Sequence, residues 1–458
     1  MKLNKFTSAL VALGIVSLAG VAQAVQSVDG AGNPIIYLTG STAARAVIYA
    51  AATTANQIFT DGSAASVIST GANNTGNGAN TIVYRGHISV NGVSTLVDLD
   101  CSFTGSEAGI AAVAGQPLTQ DVDGAKGVAL PGVPPSFLSP NNWTAGNAAA
   151  IPLSSFNAIY NPPANPDLAM ADSSQTVSRT PKATYNLVDY GVVGVVPFSF
   201  IKEYQATHDT AWNHLLNVTT SAINQNLSAG ATYQAHNYTG IAADTEAVVV
   251  CGRNFGSGTR VDTLLAAQYG ITTPVDQFGY ATYDGTHTLQ VAVGDYSTSA
   301  QANFLEVADD GFDGGASVQK CMNVDGTGLG ALVIGYLGVS DAQNTMKDAK
   351  SVAGHHATAL SFNGAYESDL AVEQGTYTFW GLEHLLGSVG QVSTTAPGAM
   401  GVAIKAGIAA QLTSSGAGTA TGDFSVEANA LTQSVLIPTS LMQVHKNTDV
   451  GFPLQGGF

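Results

Sequence analysis

The sequence predicts an α/β fold with mixed, largely parallel sheets, and three observations support this. Short apolar runs rich in β-branched residues alternate along the chain with amphipathic helical patterns. Several of these runs end in a turn of Gly, Ser and Thr that leads directly into a helical pattern. Hydrophobic residues make up 45% of the 458 residues, enough for substantial cores and for two domains. In such sheets ligands bind beyond the carboxyl ends of the strands.

The charge composition restricts the partners. Charged residues make up only 10% of the chain, against roughly 25% in typical soluble domains, so the surface is mostly neutral and polar. The 15 Lys and Arg residues face 32 Asp and Glu, a formal net charge of -17. This balance argues against nucleic acid or an anionic membrane surface as a partner. Any anion-binding site must therefore be local.

Residues Met1–Ala24 have the pattern of a cleavable signal peptide. Two lysines and the apolar run Ala9–Val21 precede an A-x-A site that ends at Ala24. We expect the mature chain to start at Val25 and to be periplasmic or extracellular. No cysteine follows the cleavage site and no later apolar run has the length of a membrane span, so no membrane anchor is expected.

The three cysteines are Cys101, Cys251 and Cys321, an odd number that leaves at least one unpaired within a monomer. One disulfide is compatible with an oxidising compartment, and the sequence leaves its pairing open. The alternative is that all three are small buried hydrophobic residues.

Two strand-to-helix turns and one further strand end are predicted in the first half of the chain. A strand at Ile35–Leu38 precedes a helix that starts at Ser41 or Thr42, and a strand at Ser94–Phe103 precedes a short helix with Ser106 as its N-cap. A third strand ends at Asp172, followed by two serines. Two regions rich in Gly, Pro, Ser and Asn are interpreted as long loops, at Asp61–Asn80 and Gln116–Asp167.

The segment CGRNFGSGTR, Cys251–Arg260, has the strongest ligand-binding pattern. It follows an apolar run and leads into the helical pattern Val261–Tyr269. Such a turn directs backbone N–H groups and a helix N-terminus at one point, where Arg253, Ser257 and Thr259 add donors. This arrangement favours an anion.

Periodicity predicts further elements in the second half. These are a crossing strand at Val192–Ile201, helices at Lys202–Leu216, Ser221–Leu227, Ser299–Val307, Ala316–Met322, Tyr377–Leu386 and Gly401–Leu412, a hairpin-like region at Tyr280–Val293 and a strand at Ala331–Val339. The aromatic residues Tyr377, Phe379 and Trp380 are interpreted as core.

The common catalytic and cofactor motifs are missing from the sequence. There is no G-x-x-x-x-G-K-[ST], no G-x-S-x-G and no H-E-x-x-H, and the histidines lack metal-ligand spacing. The turn Asp309–Gly315 is interpreted as solvated, because no glutamate follows at the spacing of a calcium loop. We therefore expect neither a cofactor nor a metal, and no enzymatic activity.

Taken together, the turns LTGSTA, TGSEAGI, AMADSS, CGRNFGSGTR and ALVIGYLGVS resemble those of the periplasmic phosphate-binding proteins of phosphate ABC transporters. The resemblance covers much of Pro34–Ser340 and, more loosely, the segments around Trp380. It implies a type 2 periplasmic-binding fold, in which two lobes joined by a hinge close an interlobe cleft on an oxyanion. The implied division is a signal peptide at 1–24, lobe 1 at 25–190, lobe 2 at 191–344, and a return to lobe 1 with a C-terminal tail at 345–458.

The resemblance also implies a set of ligand contacts, matched motif by motif. These are Thr42, Ala43, Ser106, Asp172, Arg253, Ser257, Gly258 and Thr259. In the family, the residue at the position of Asp172 accepts a hydrogen bond from protonated phosphate. Two positions depart from the family: Ala43 replaces a common aromatic residue, and Phe255 replaces an acidic residue that contacts both arginine and ligand. Without that acceptor, the preference for protonated phosphate over a fully deprotonated oxyanion is weaker.

We therefore expect a secreted binding protein for phosphate or a related oxyanion, with an ABC transporter membrane component as its partner. One alternative is an extracellular structural or matrix protein that retains the fold and self-assembles through its neutral loops. Another is a phosphate-ester hydrolase on the same scaffold, for which no base or metal set is evident.

Overall fold

The structure is a computed structural model that describes most of the chain. The described residues are 27–29, 31–60, 66–70, 81–116, 137–138, 159–160, 165–280, 282–283, 289–290, 304–312, 314–347, 354–414, 436–446 and 454–455. The signal-peptide pattern at Met1–Ala24 lies outside them. Within them the chain is a mixed α/β protein, as predicted from the sequence. None of the helices in these ranges is long and apolar enough to cross a membrane.

The strands are β1 (Ile35–Gly40), β2 (Ser66–Thr70), β3 (Thr81–Val90), β4 (Val93–Ser102), β5 (Phe137–Leu138), β6 (Ile159–Tyr160), β7 (Leu168–Ala171), β8 (Val188–Lys202), β9 (Asn217–Val218), β10 (Ala247–Cys251), β11 (Gln277–Tyr280), β12 (Thr282–Tyr283), β13 (Leu289–Gln290), β14 (Phe304–Ala308), β15 (Ala331–Gly338), β16 (Thr358–Phe362), β17 (Trp380–Gly387), β18 (Val444–His445) and β19 (Leu454–Gln455).

The helices are α1 (Arg45–Thr53), α2 (Ser106–Val113), α3 (Lys182–Tyr185), α4 (Thr210–His214), α5 (Thr220–Ala229), α6 (His236–Thr239), α7 (Gly258–Ala266), α8 (Gly315–Met322), α9 (Val339–Met346), α10 (Asp369–Glu373) and α11 (Ala396–Ser414).

One large mixed sheet organises the molecule. Its main path runs β10-β15-β8-β17-β7-β1-β4-β3-β2; β16 branches from β8 and pairs in turn with β9. On the main path, parallel pairs form two separate groups, β10 with β15 and β1 with β4 and β7. Antiparallel β8 and β17 lie between these groups and join them. The carboxyl ends of strands from both groups are thus available to a common site.

Strand β8 passes from one group to the other. Its first part pairs with β17, as far as Pro197 opposite Trp380, and its last five residues pair with β15. It is one continuous strand of 15 residues in spite of Pro197. The predicted crossing strand at Val192–Ile201 is therefore confirmed, and the proline does not interrupt it.

The main hydrophobic core lies along the central strands. Phe200 of β8 stacks on Phe379 with a centroid separation of 4.7 Å, and Tyr377 donates a hydrogen bond of 2.7 Å to the carbonyl of Phe198. Tyr377, Phe379 and Trp380 are all buried, so their interpretation as core residues is confirmed.

Several predicted elements agree with the structure. The helices at Ser221–Leu227, Ala316–Met322 and Gly401–Leu412 correspond to α5, α8 and α11. The strand at Ala331–Val339 is β15, and the hairpin-like region contains the antiparallel pair β12–β13.

Three helix predictions are wrong. Most of Tyr377–Leu386, predicted as helix, lies in strand β17 (Trp380–Gly387), because a strand with neighbours on both edges and all eight residues buried shows no alternation in sequence. The segment predicted at Ser299–Val307 contributes to strand β14. In Lys202–Leu216 only the short helix α4 forms, and Lys202 ends β8.

The predicted helix starts and one loop also need correction. Helix α1 begins at Arg45, because the Ser41 hydroxyl accepts from the N–H of Ala43 in a turn and Ala44 is the N-cap. Helix α2 has Gly105 as its N-cap, and Ser106 is its first residue. The loop predicted at Asp61–Asn80 contains β2, which pairs with β3.

Candidate functional site

A cavity of about 60 Å³ lies where the turns after β1, β10 and β15 meet. These three strands come from both parallel groups of the sheet, and each turn leads into a helix, namely α1, α7 and α9. The cavity is lined by Thr42, Ala43, Arg45, Ala46, Val196, Arg253, Thr259, Gly338, Val339, Ser340 and Asp341. Its place at the carboxyl ends of parallel strands is the usual position of a ligand site in α/β sheets.

Four of the eight residues predicted to contact a ligand line this cavity. Thr42 and Ala43 come from the turn before α1, whereas Arg253 and Thr259 come from the turn after β10. More than 200 residues of sequence separate the two pairs. The fold thus brings two of the predicted turns to one point.

Arg45 also lines the cavity, and the sequence analysis missed it. It is the first residue of α1, and its Nε donates a hydrogen bond of 2.9 Å to the carbonyl of Thr42. Burial lowers the pKa of its guanidinium, and the nearby charge of Arg253 lowers it further, whereas Asp341 raises it. Two guanidinium groups and one carboxylate therefore interact electrostatically across one small space.

Arg253 is held in place from several directions. Its N–H donates to the Tyr336 hydroxyl at 2.9 Å, and its Nε donates to the carbonyl of Phe312 at 3.3 Å. Its own carbonyl accepts from Nε2 of Gln277 at 3.1 Å. The residue is 2% exposed, so its position is fixed by packing as well as by these bonds. Such preorganisation lowers the entropy lost when a ligand binds.

Asp341 supplies the only acidic side chain among the lining residues of this cavity. It lies near the start of α9, and its Oδ1 accepts a hydrogen bond of 3.2 Å from Gln319 of α8. A Cβ atom on Gly315 would lie 1.8 Å from Asp341 Oδ2, so the carboxylate lies against the first residue of α8. Part of its negative charge is thereby stabilised by that helix N-terminus.

Three other predicted residues form a second cluster beside the cavity. The hydroxyl of Ser106 donates to Oδ1 of Asp172, and the Asp172 N–H donates back to that hydroxyl at 3.2 Å. A Cβ atom on Gly258 would lie 1.5 Å from Asp172 Oδ1, so only glycine fits there. Asp172 therefore lies against the N-terminus of α7. None of these three residues, Ser106, Asp172 and Gly258, is among the described residues that line the cavity.

Thr259 links this cluster to the cavity. It lines the cavity, and its Oγ1 donates to Oδ2 of Asp172 at 3.5 Å. Burial raises the pKa of Asp172, while its bonds to Ser106 and Thr259 and the charge of Arg253 lower it. Glu383, a neighbour of Asp172, is fully buried. Burial and the charge of Asp172 raise the pKa of Glu383 well above its usual range.

Ser257 has a structural role in this arrangement. It is the N-cap of α7, and its Oγ accepts a hydrogen bond of 3.3 Å from the N–H of Arg260. It is buried and does not line the cavity. Its predicted ligand contact thus has no counterpart in the geometry of this cavity.

Phe255 lies away from the cavity and packs between two turns. The side chain is 4% exposed and contacts Ala108 and Ala111 of α2. Next to it, the N–H of Ala108 donates to the carbonyl of Gly256 at 3.2 Å. Where the resembling family has an acid, this chain has an apolar contact between the turn after β10 and helix α2.

The predicted solvated turn at Asp309–Gly315 is partly wrong. The buried guanidinium of Arg260 bonds the carboxylate of Asp309 and, at 2.7 Å, its carbonyl oxygen. Asp309 therefore forms an ion pair with a buried arginine. Across the described ranges, no group of three or more His, Cys, Asp or Glu residues is arranged to hold a metal ion.

Comparisons with known proteins identify structural neighbours only. No family model matches the chain, and no curated protein matches it. Among solved structures, the chain is similar to an ABC-type phosphate transport receptor from Vibrio cholerae, at 12% identity and a TM-score of 0.35 over 78% of this chain and 88% of that one. It is similar to a possible phosphate binding protein from Planctomyces limnophilus, at 10% identity and a TM-score of 0.37 over 91% and 96%. It is also similar to PstS from Borrelia burgdorferi, at 12% identity and a TM-score of 0.32 over 80% and 91%. These descriptions name the class of protein that the sequence motifs resemble.

Proposed function

We propose that this protein binds phosphate or a related tetrahedral oxyanion in the cavity between the turns after β1, β10 and β15. The observation that carries the proposal is the presence of Arg45 and Arg253 together in that cavity, in a chain with a net charge of -17. Only one carboxylate, that of Asp341, lies among the lining residues. Two guanidinium groups beside one lining carboxylate favour an anion of charge −1 or −2.

The size of the cavity supports a small ligand. A volume of about 60 Å³ is more than one water molecule needs, so the cavity has room for a small polyatomic anion. The guanidinium groups make charge-assisted and bidentate contacts to such oxygens. The hydroxyls of Thr42 and Ser340 take the remaining oxygens.

Thr259 extends the proposal to the protonation state of the ligand. Its hydroxyl donates toward Asp172, which leaves its oxygen as an acceptor on the cavity side. A ligand that carries a proton, such as monohydrogen phosphate or arsenate, donates to this oxygen, whereas sulfate at neutral pH has no proton to donate. In this proposal Thr259 and Asp172 together favour phosphate and arsenate.

As a solute-binding protein, the chain serves ABC-type uptake from the periplasm or the extracellular space and carries out no chemistry. In the division proposed from the sequence, 25–190 with 345–458 for one lobe and 191–344 for the other, the first boundary falls within β8. Closure around the ligand shifts the population toward the form that a membrane partner recognises.

Isothermal titration calorimetry with phosphate, arsenate and sulfate tests the proposal. We expect binding of phosphate and arsenate, and a roughly 10- to 100-fold weaker affinity in Arg253→Gln and in Arg45→Gln, because each variant loses a charge-assisted contact. Lys405→Gln is the charge-matched control, since Lys405 is exposed on α11 and is not among the lining residues. If none of the three anions binds at millimolar concentration, the proposal is contradicted. A ligand-insensitive oligomer in sedimentation would then favour the matrix-protein alternative.

A further inference from the structure

Two of the three cysteines contact each other. Cys251 is the last residue of β10 and Cys321 lies in the last turn of α8, and their sulfur atoms are 2.9 Å apart. Both side chains are fully buried in one hydrophobic cluster, together with Phe312, Val318 and Met322. Both are thiols in this structure.

We propose that Cys251 and Cys321 form a disulfide bond when the protein folds in an oxidising compartment, and that Cys101 remains a thiol. A disulfide needs sulfur atoms about 2.05 Å apart, so the two sulfurs approach by about 0.9 Å, which small side-chain rotations allow. The proposal depends on folding under oxidising conditions and is independent of the ligand proposed above.

Cys101 is excluded by its place in the sheet. It lies in β4 and faces a different hydrophobic cluster, in register with Leu38 of β1 and Ile82 of β3. From β10 to β4 the sheet order takes six steps, at roughly 4.8 Å a step, or about 29 Å along the sheet. The Cα atoms of a disulfide are less than about 7 Å apart, so Cys101 reaches neither partner.

The bond forms by thiol–disulfide exchange with an external disulfide, either a small molecule or an oxidoreductase. The thiolate of one cysteine attacks that disulfide, forms a mixed disulfide and releases one thiol of the oxidant. The thiolate of the second cysteine attacks the mixed disulfide and releases the other thiol, so two protein thiols are oxidised while one disulfide is reduced. The two thiol protons pass to the released thiolates.

The timing of this step follows from burial. Burial raises the pKa of the Cys251 thiol, and the neighbouring Cys321 raises it further, so Cys251 is a poor nucleophile in the folded protein. Neither sulfur is accessible to an oxidant in the folded protein. We therefore place bond formation during folding, before α8 packs against β10.

The bond connects two elements, β10 and α8, that position residues lining the cavity. Cys251 precedes Arg253 by two residues, and Gln319, close to Cys321 on α8, donates to Asp341. The crosslink closes a loop between positions 70 residues apart, which restricts the unfolded chain and fixes α8 against the end of β10. It thus supports the positions of Arg253 and Asp341.

Thiol counting by intact mass tests the proposal. The purified chain is refolded with a mixture of oxidised and reduced glutathione, denatured, alkylated without reductant, and weighed. We expect one alkyl group on the wild type and three after reduction, because the chain has three cysteines, and none on Cys101→Ser. Three alkyl groups on the unreduced wild type, or a disulfide that contains Cys101, overturn the proposal.

A second measurement on the wild type avoids dependence on variants that fold poorly. Proteolysis of the unreduced protein is expected to yield one crosslinked peptide that contains Cys251 and Cys321. Reductant is expected to lower the midpoint of thermal unfolding by about 5–10 °C in wild type and in Cys101→Ser alike. An unchanged midpoint in both, with no crosslinked peptide, contradicts the disulfide.

Discussion

The side chain of Phe255 fills the space between two turns, each of which leads into a helix. It contacts Ala108 and Ala111, and backbone groups on both sides come close: a Cβ atom on Gly105 would lie 2.5 Å from the carbonyl oxygen of Gly256. Gly105 has a φ of 114°, which is readily accessible only to glycine. An acidic residue at position 255 would place a charge against these alanines, so the apolar side chain and the small residues around it are complementary.

The variant Phe255→Ala is expected to lower the free energy of unfolding by about 3 kcal/mol, because it removes a buried aromatic ring and leaves a cavity. Phe255→Leu is the matched control and should cost less than about 1.5 kcal/mol, since it keeps most of the buried volume. Urea unfolding followed by tryptophan fluorescence measures both. Equal stability of wild type and Phe255→Ala would show that this contact is not formed in solution.

Asp167 is a second residue whose environment has a measurable consequence. Its Oδ2 accepts a hydrogen bond of 2.9 Å from the N–H of Tyr37 in strand β1 of the large sheet. Burial raises the pKa of this carboxyl from 3.8 to about 7, although the bond from Tyr37 opposes the shift. The folded state therefore binds a proton more tightly than the unfolded state, and Asp167 favours folding most at low pH.

Because folding raises the pKa, we expect the contribution of Asp167 to the free energy of unfolding to be complete below about pH 4 and to be lost as the pH rises through 7. Asp167→Asn keeps an oxygen for Tyr37 and does not ionise, so it should raise the free energy of unfolding at pH 8 by roughly 2 kcal/mol. This is about half of the free energy that corresponds to the whole pKa shift, because the side chain keeps some solvent contact. Urea unfolding of both proteins from pH 4 to pH 8 measures the difference. A difference that is the same at every pH contradicts the assigned pKa.

At the scale of a single element, helix α7 has its first turn fixed by three different contacts. Ser257 caps it, Gly258 approaches Asp172, and Thr259 connects Asp172 to the cavity. All three residues were predicted as ligand donors, but in the structure only Thr259 lines the cavity. The other two residues position the helix start.

We expect Ser257→Ala to lower the stability by about 1 kcal/mol through the loss of the N-cap, with less than a threefold change in phosphate affinity. Ser257→Thr, which keeps a capping hydroxyl, is the control and should stay close to wild type. Chemical denaturation and calorimetry on the same samples separate the two effects. A large loss of affinity at unchanged stability would restore Ser257 as a direct ligand contact.

Some elements were predictable from the sequence and others were not, for physical reasons. Strands β1, β10 and β15 are apolar runs that end in small-residue turns, so both the strands and the site edge were predictable. Strand β17 was not, because Glu383 and His384 are buried in it and its neighbours cover both edges. Arg45 and Asp341 were missed because only the tertiary structure, which brings the start of α1 and the start of α9 to one cavity, shows that they line the same space. No sequence pattern contains that information.

At the scale of the whole molecule, the long strand β8 explains how distant turns reach one site. It pairs with β17 in one part and with β15 in the other, so the two parallel groups share a single sheet. The turns after β1 and β10 therefore face the same cavity although they belong to different groups. The net charge of -17 opposes anion capture only weakly, because surface charges are screened beyond roughly 10 Å at moderate salt.

The central claim, that an oxyanion binds between Arg45 and Arg253, is tested most directly by a crystal structure with arsenate. Arsenic gives an anomalous signal that locates the ligand without reference to any starting coordinates. The claim predicts one strong peak in the cavity, with arsenate oxygens within hydrogen-bond distance of both guanidinium groups and of Thr42. A fully occupied arsenate at another place, or an empty cavity in crystals grown at saturating arsenate, would contradict it.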